Sequence, residues 1–290
     1  DKNDPEAVKT RLFSGANIVH TILMRQYLGA FINSLQENRI TNSFTAGVNP
    51  HSSEWTTMMG HIGEASGQAF DGDWSAFDAS LSSEVITAFF TAANNWYATY
   101  DPQCTVEDQQ FRLRLADSVA KSVHVQGDTL VRWEGGLPSG CYGTNQIDSF
   151  GNLIIFIMAW LTKGLKGQDF VEHVRLLTHG DDNLFAVTPK FQDVFTPQAI
   201  ADYGATLGMK YTAADKHGAL DSWKPLRDCT FLKRGILPHG NLWLAPLDIT
   251  SIRKMCHWLH KQPDMTTATI VNAKTALYEL MVSPTPERAA

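Results

Sequence analysis

The sequence has no CxxC pair and no Asn-x-Ser/Thr sequon. Its four cysteines, Cys104, Cys141, Cys229 and Cys256, are scattered. This spacing argues against a disulfide scaffold and suits a reducing compartment. Cys256-His257 with His260 offers no fourth ligand for zinc, so the cluster is expected to be a structural helix face. Long apolar runs are also lacking. The longest, Leu153 to Leu161 (LIIFIMAWL), falls far short of the roughly 20 residues that span a bilayer and is expected to form a buried helix. Low-complexity tracts, internal repeats and heptads are absent. The leading DKNDPEAVKTR has no apolar core, so it is not expected to be a signal peptide, and without an initiator Met it reads as the cut edge of a longer chain. Positive charge is in deficit: 24 Lys and Arg face 30 Asp and Glu, a net charge of −6. Bulk charge thus counts against nucleic-acid binding. It is a weak test, because a site that collects carboxylates for metals is acidic by design and a basic surface can be local.

What is present describes an ordered globular protein. Of the 290 residues, 43% are hydrophobic and 19% charged, enough for one large domain or two modest ones. Ile18, Ile22, Leu23, Tyr27, Phe31 and Leu35 recur at helical spacing, which predicts a helix over about 15–38. Residues 42–67 are turn-rich and carry no strong period. A short strand is expected over 68–73. Ser80 or Ser82 then caps a helix bearing Val85, Ile86, Phe89, Phe90, Ala93, Trp96 and Tyr97. Another helix is expected over 106–119, a β-hairpin around Gly127-Asp128, and an apolar helix over roughly 144–163. Val174 to Val187 reads as a second hairpin with apolar arms and an acidic tip. Thr196-Pro197 starts a helix that Gly208 ends. Strands are expected at 229–237 and 242–247, a helix from Asp248 to about Lys261, and a last helix over 266–282. Hairpins mixed with helices make the class α+β with a mostly antiparallel sheet.

Three segments carry chemistry. His179-Gly180-Asp181-Asp182 puts two carboxylates on a hairpin tip, a poor place for charge unless something neutralises it. Two adjacent carboxylates on a tight turn can reach one divalent cation, and hard oxygen ligands select Mg²⁺ or Mn²⁺. Taken alone, it could equally be a solvated Gly-Asp turn. Asp71-Gly-Asp73-Trp-Ser-Ala-Phe-Asp78 is a second acidic group at the end of an apolar strand. If that strand pairs beside the hairpin, Asp73 and Asp181 face each other across two metals, the arrangement for in-line phosphoryl chemistry. The alternative is an acidic loop with a helix cap. The third segment runs Gly135-Gly-Leu-Pro-Ser139-Gly140-Cys-Tyr-Gly143-Thr144 and on to Asp148. Its glycines allow close backbone approach, and Ser139 and Thr144 supply hydroxyls for sugar or phosphate. A flexible connector would look similar.

The order of these segments says more than any one of them. Asp73…Asp78, Ser139-Gly140…Thr144 and Gly180-Asp181-Asp182 resemble motifs A, B and C of viral RNA-dependent RNA polymerases, in their usual order. Ala213-Ala214-Asp215-Lys216 resembles the motif D lysine segment, Phe231-Leu232-Lys233-Arg234 motif E of picornavirus-like enzymes, and Lys9-Thr10-Arg11 the end of motif F. The resemblance runs from residue 9 to about 260. It implies a right-hand fold whose palm carries an antiparallel sheet packed on helices. It also implies partial fingers over 1–67, palm over 68–105, a fingers insertion over 106–134, palm again over 135–246, and the start of a thumb over 247–290.

The resemblance assigns roles. Asp73 and Asp181 would hold two Mg²⁺ or Mn²⁺ ions, with Asp182 assisting. Lys216 would protonate the pyrophosphate leaving group; a lysine at its ordinary pKa near 10.4 is charged at neutral pH. Lys9 and Arg11 would grip the incoming triphosphate. Ser139, Gly140, Thr144, Asp78 and Asp148 would line the nucleotide subsite, and Lys233 and Arg234 would contact the nascent strand. Ribonucleoside triphosphates, an RNA template and nascent RNA are the implied partners. A protein primer and other viral replication proteins are further candidates, within a polyprotein acting at replication complexes in the host cytoplasm. Reverse transcriptases place an aromatic ring at the position of Asp78; an acid there can instead accept a hydrogen bond from a 2′-OH, which favours ribonucleotides. One position departs from the pattern, which expects Asn where this chain has Asp148. Two carboxylates that close repel each other. Either Asp148 is partly protonated, or Asn145 or Asn152 supplies the amide. Two rivals use some of the same residues: a metal-dependent nuclease or phosphohydrolase, and a non-catalytic RNA-binding scaffold. Neither needs all these segments in this order.

Overall fold

A computed structural model describes residues 13–216, 219–220, 222–257, 259 and 262–283. Lys9 and Arg11 lie outside the described residues. The chain opens with α1 (Ile18–Glu37), whose Asn17 cap accepts from the Val19 amide. Next comes α2 (Ser53–Gly63), where a featureless turn-rich stretch was expected. Its signal was present but short: Ser52 caps it, and Trp55, Met58, Met59 and Ile62 recur at helical spacing and are fully buried. Then follow β1 (Gln68–Ser75), the single turn α3 (Phe77–Ser80), α4 (Ser83–Tyr100) and α5 (Val106–Ala120). Ser82, not Ser80, caps α4, and Thr105 with Asp108 forms a capping box on α5. The hairpin β2 (Val123–Gln126) and β3 (Thr129–Arg132) precedes α6 (Thr144–Thr162) and α7 (Gly167–His173).

The second hairpin is β4 (Val174–His179) and β5 (Asp182–Val187), with Gly180 in the left-handed region at φ 66°. It is followed by α8 (Pro197–Thr206) and β6 (Lys210–Ala213), then by five short strands. These are β7 (Lys224–Pro225), β8 (Thr230–Phe231), β9 (Arg234–Gly235), β10 (Leu237–His239) and β11 (Leu242–Leu244). The single strand expected over 229–237 is broken because Leu232 and Lys233 both adopt positive φ, 55° and 60°, and turn the chain back on itself. Helices α9 (Ile249–Met255) and α10 (Met265–Met281) complete the fold. Because α9 stops at Met255 rather than near Lys261, Cys256 is an exposed cap residue and not part of a helix face.

The central sheet has the order β4-β5-β1-β6, with β7 also on β1, and every pairing is antiparallel. Both faces are covered, and strand alternation sorts the side chains. Phe70, Trp74, Phe185 and Val187 join the larger core with α1, α4, α5, α6 and α8. Ala69, Leu184 and Ala186 pack on the other side against Trp55, Met58 and Ile62 of α2 and against Phe231 and Ile236. The open edge of β4 is closed by residues 43–45, where Thr178 donates to the Ser43 carbonyl and the Thr45 amide donates to Thr178.

One position in β1 shows how tightly the sheet is specified. Gly72 lies between Asn183 on one neighbouring strand and Ala213 on the other. Tyr211 crosses over it, and its hydroxyl donates to Asn183 Oδ1 at 2.7 Å. A Cβ on Gly72 would collide with the Tyr211 ring and hydroxyl. Gly72→Ala is therefore expected to destabilise by about 1–3 kcal/mol or more, the usual cost of overpacking. Gly29→Ala, inside α1 with nothing within 4 Å of the added carbon, should stabilise by about 0.5–1 kcal/mol. Thermal unfolding of the two variants checks this; effects of the same sign would contradict the packing of Tyr211 on Gly72.

Candidate active site

The β1–β5 register ends with Gly72 opposite Asn183, next to Asp73 on one strand and Asp182 on the other, and the two acids are near enough for the charge of Asp73 to act on Asp182. Asp181 stands beside them in the turn. Asp73 and the hairpin acids, distant in sequence, thus meet at one end of the sheet, as expected. The turn is held from below by α6. The Gly180 amide donates to Ser149 Oγ at 2.9 Å. Asn152 Nδ2 donates to the carbonyls of Gly180 and Asp181 at 3.0 and 3.1 Å, while its Oδ1 accepts from Trp74 Nε1 at 3.1 Å. Asn152 therefore joins the strand carrying Asp73 to the turn carrying Asp181. Its amide nitrogen and oxygen are both engaged in this bracket. Sequence reasoning assigned neither Ser149 nor Asn152 to this bracket. The available signal was polar residues one turn apart on an otherwise apolar helix.

Asp182 spends one oxygen on the Leu232 amide, 3.1 Å away, which ties the acidic turn to the β8–β9 turn. Burial pushes its carboxyl up to about 7, against that hydrogen bond, and the negative charges of Asp181, Asp73 and Asp71 push in the same direction as burial. A crowded set of carboxylates resisting ionisation is what a bound cation relieves. Among the described residues, no three His, Cys, Asp or Glu side chains converge into a closed metal cage. A hard ion at Asp73, Asp181 and Asp182 would therefore have to take part of its shell from other oxygen donors. The donor set is all oxygen, as Mg²⁺ or Mn²⁺ requires. Lys216 Nζ lies 3.6 Å from Asp73 Oδ2 on a mostly exposed side chain.

Ser139, Gly140, Thr144, Asp78 and Asp148 surround the start of α6. Ser139 Oγ donates to Asp78 Oδ2 at 2.5 Å. Thr144 Oγ1 donates to the Cys141 carbonyl at 2.6 Å and so closes the loop on itself. Gly140 bridges Gly15, and any Cβ there would strike the Ser14 carbonyl oxygen. Asp148 is buried on α6, with Oδ1 lacking a hydrogen-bond partner. Burial first, then the charges of Asp78 and Asp181, push it up to about 9. A shift in this direction was expected from like-charge repulsion, but burial is its larger cause. Asn145, one turn earlier, is half-buried and also has an unpartnered Oδ1.

The two basic residues of the β8–β9 turn part company. Lys233 is exposed. Arg234, expected to contact the nascent strand, points inward: it donates to both Glu279 oxygens at 2.9 and 2.7 Å and to the Ala245 carbonyl at 2.8 Å. Glu279 is buried and Arg234 half-buried, so this bidentate pair pins α10 onto the β8–β9 hairpin. The pairing was not legible in sequence because the partner is 45 residues away.

The model of the family described as "Viral RNA-dependent RNA polymerase" matches residues 4–286. The chain belongs to that family. A genome polyprotein of Rice tungro spherical virus (strain Vt6) is 32% identical over 96% of this chain. One of Deformed wing virus is 31% identical over 93%. The match covers 8% and 10% of those polyproteins, so this polymerase-family chain spans about a tenth of the curated relatives' length. A solved structure, "Sicinivirus 3Dpol RNA dependent RNA polymerase", shares the fold with a TM-score of 0.76 at 23% identity, over 94% of this chain and 59% of that one. The right-hand fold and its antiparallel palm sheet follow from that likeness.

The state of Asp148 sets a pH dependence. A carboxyl whose pKa is raised by folding binds more protons folded than unfolded, so stability falls as pH rises from about 4 to about 9. Asp148→Asn keeps the shape and removes that slope. In EDTA at pH 8 it should raise the melting temperature by at least about 2–4 °C, the shift that 1 kcal/mol gives a domain this large. At pH 4 it should change little. An equal shift at both pH values would contradict a neutral Asp148.

Proposed function

We propose that this chain forms the palm, with adjoining parts of fingers and thumb, of a viral RNA-directed RNA polymerase. It extends nascent RNA on an RNA template by transferring nucleotidyl groups from ribonucleoside triphosphates and releasing pyrophosphate. The observation that carries this reading is the meeting of Asp73, Asp181 and Lys216 at one end of the sheet, beside the Ser139–Asp78 hydrogen bond. The division into fingers (1–67 and 106–134), palm (68–105 and 135–246) and thumb (from 247) belongs to the same reading.

Asp73 and Asp181 would hold two divalent ions, Mg²⁺ or Mn²⁺, with Asp182 assisting through the oxygen that Leu232 does not engage. Such ions lower the pKa of the attacking hydroxyl and neutralise charge on the leaving group. The protein's own residues do the rest. Lys216 donates a proton to the pyrophosphate oxygen as it leaves. Lys9 and Arg11 bind the triphosphate. Asp78 accepts from the ribose 2′-OH, exchanging its present bond with Ser139 for one to substrate. Asp148, neutral, adds a donor without adding charge. Ser139, Gly140 and Thr144 shape the wall of that subsite, and Lys233 faces the nascent strand's phosphates. Arg234 supports this surface from behind through Glu279. The relatives named as polyproteins support release from a polyprotein; work at replication complexes in the host cytoplasm, with a protein primer and other replication proteins as partners, belongs to the same proposal. No helix among the described residues is long and apolar enough to cross a membrane.

The test is primer extension on an RNA template with Mg²⁺ and ribonucleotides, using the polymerase that contains this chain. Wild type should incorporate nucleotides and release pyrophosphate. Asp181→Asn should abolish incorporation, and Lys216→Leu should slow it by about 10²-fold, the low end of general-acid contributions. RNA hydrolysis without extension would instead indicate a phosphohydrolase. RNA binding with no incorporation by wild type would indicate a scaffold.

A further inference from the structure

Asp71 lies two residues before Asp73 on β1 and is only 3% exposed. A buried carboxylate is costly unless its oxygens are bonded, and these are. Oδ1 accepts from Lys224 Nζ at 3.0 Å. Oδ2 accepts from the Thr230 amide at 2.9 Å and from Thr230 Oγ1 at 3.0 Å. The Asp71 backbone carbonyl accepts from the Ala214 amide at 3.0 Å. Ala214 and Lys224 flank Lys216 on its two sides in sequence, so one residue of the Asp73 strand fastens the chain both before and after Lys216. Two further contacts tighten the arrangement. The Lys216 amide donates to the Ala213 carbonyl at 2.8 Å, and Lys224 Nζ also lies 3.9 Å from Asp215. Lys216 itself sits in the left-handed region at φ 63°, a conformation that persists only where its surroundings hold it.

A pair serving stability alone would gain nothing from this placement, since well-packed apolar residues commonly do as well as a buried ion pair. This one fixes the chain around Lys216 against the strand that carries Asp73, and Nζ of Lys216 comes to rest 3.6 Å from Asp73. We propose that Asp71, with Lys224 as its partner, is a positioning residue that sets Lys216 at its working distance from the Asp73 end of the site. Asp71 touches no substrate and acts only through Lys216. The inference rests on the reading of Lys216 as the proton donor to pyrophosphate.

A double-mutant cycle on single-nucleotide incorporation tests it in the polymerase that contains this chain. The variants are Asp71→Asn, Lys216→Leu and the two combined. Lys216→Leu alone reports on the proton-donor reading: a rate unchanged from wild type would overturn that reading, and this inference with it. Where Lys216→Leu slows the reaction, Asp71→Asn in the wild-type background should slow it by about 10-fold or more, because misplacement by an ångström costs up to about 10². In the Lys216→Leu background, Asp71→Asn should add nothing, since groups acting through one another are non-additive. Equal slowing in both backgrounds would mean that Asp71 supports the fold generally and would overturn the inference. Should Asp71→Asn fail to fold, Lys224→Met breaks the same contact from the other side and is read in the same cycle. Lys224→Arg, which retains a donor to Asp71, should restore most of the rate lost in Lys224→Met.

Discussion

Everything at the acidic end of the sheet depends on Asn152. A tight turn bearing two carboxylates above a buried helix must satisfy its backbone groups without water. Asn152 does this with one amide, donating to Gly180 and Asp181 and accepting from Trp74, while Ser149 takes the Gly180 N–H. An amide can donate and accept at once; a carboxylate or an aliphatic side chain at this position could not. The three motifs nearest the chemistry are therefore locked to one another through one side chain of α6. Beyond it, Tyr211 reaches across Gly72 to Asn183, and Asp71 binds the chain on both sides of Lys216. These contacts form three braces on one strand, at residues 71, 72 and 74, around the Asp73 carboxylate that faces Lys216.

Against that rigid frame the electrostatics are deliberately unfavourable. Asp182 is pushed up to about 7 and Asp148 to about 9, both first by burial and then by neighbouring carboxylates. The two differ in what relieves them. Asp182 sits in the cluster that a divalent cation would neutralise, so its strain belongs to the metal-free state. Asp148 lies deeper on α6, with an unpartnered oxygen, and resolves its strain by keeping a proton. An acid in this position thus resembles the expected amide more closely than its charge in solution would suggest: both are neutral and both can donate.

Much of this was legible in the sequence. The order of the acidic and glycine-rich segments, the hairpin around Gly180, the helix from Thr144 and the antiparallel class were all readable, because each is a local pattern. The helix α2 was missed although Trp55, Met58, Met59 and Ile62 carry its period, because turn residues on either side masked so short a signal. The residues that assemble the site were not readable at all. Asp71 meets Thr230 across 159 positions, Asn152 meets Trp74 across 78, and Arg234 meets Glu279 across 45. A carboxylate and a basic residue so far apart look like solvated charges until the sheet register brings them together. Arg234 shows the consequence most clearly: the resemblance of its segment to motif E implied a contact with RNA, and its geometry points to α10.

The central claim is that Asp73 and Asp181 form a two-cation site completed by substrate. The most direct measurement is anomalous diffraction from crystals of the polymerase containing this chain, soaked with Mn²⁺, a primer–template RNA and a non-hydrolysable ribonucleoside triphosphate. Two manganese peaks roughly 3.5–4 Å apart, the spacing of two-metal phosphoryl-transfer sites, with both aspartates in contact, would bear the account out. A single peak, or peaks that leave Asp73 or Asp181 unligated, would contradict it.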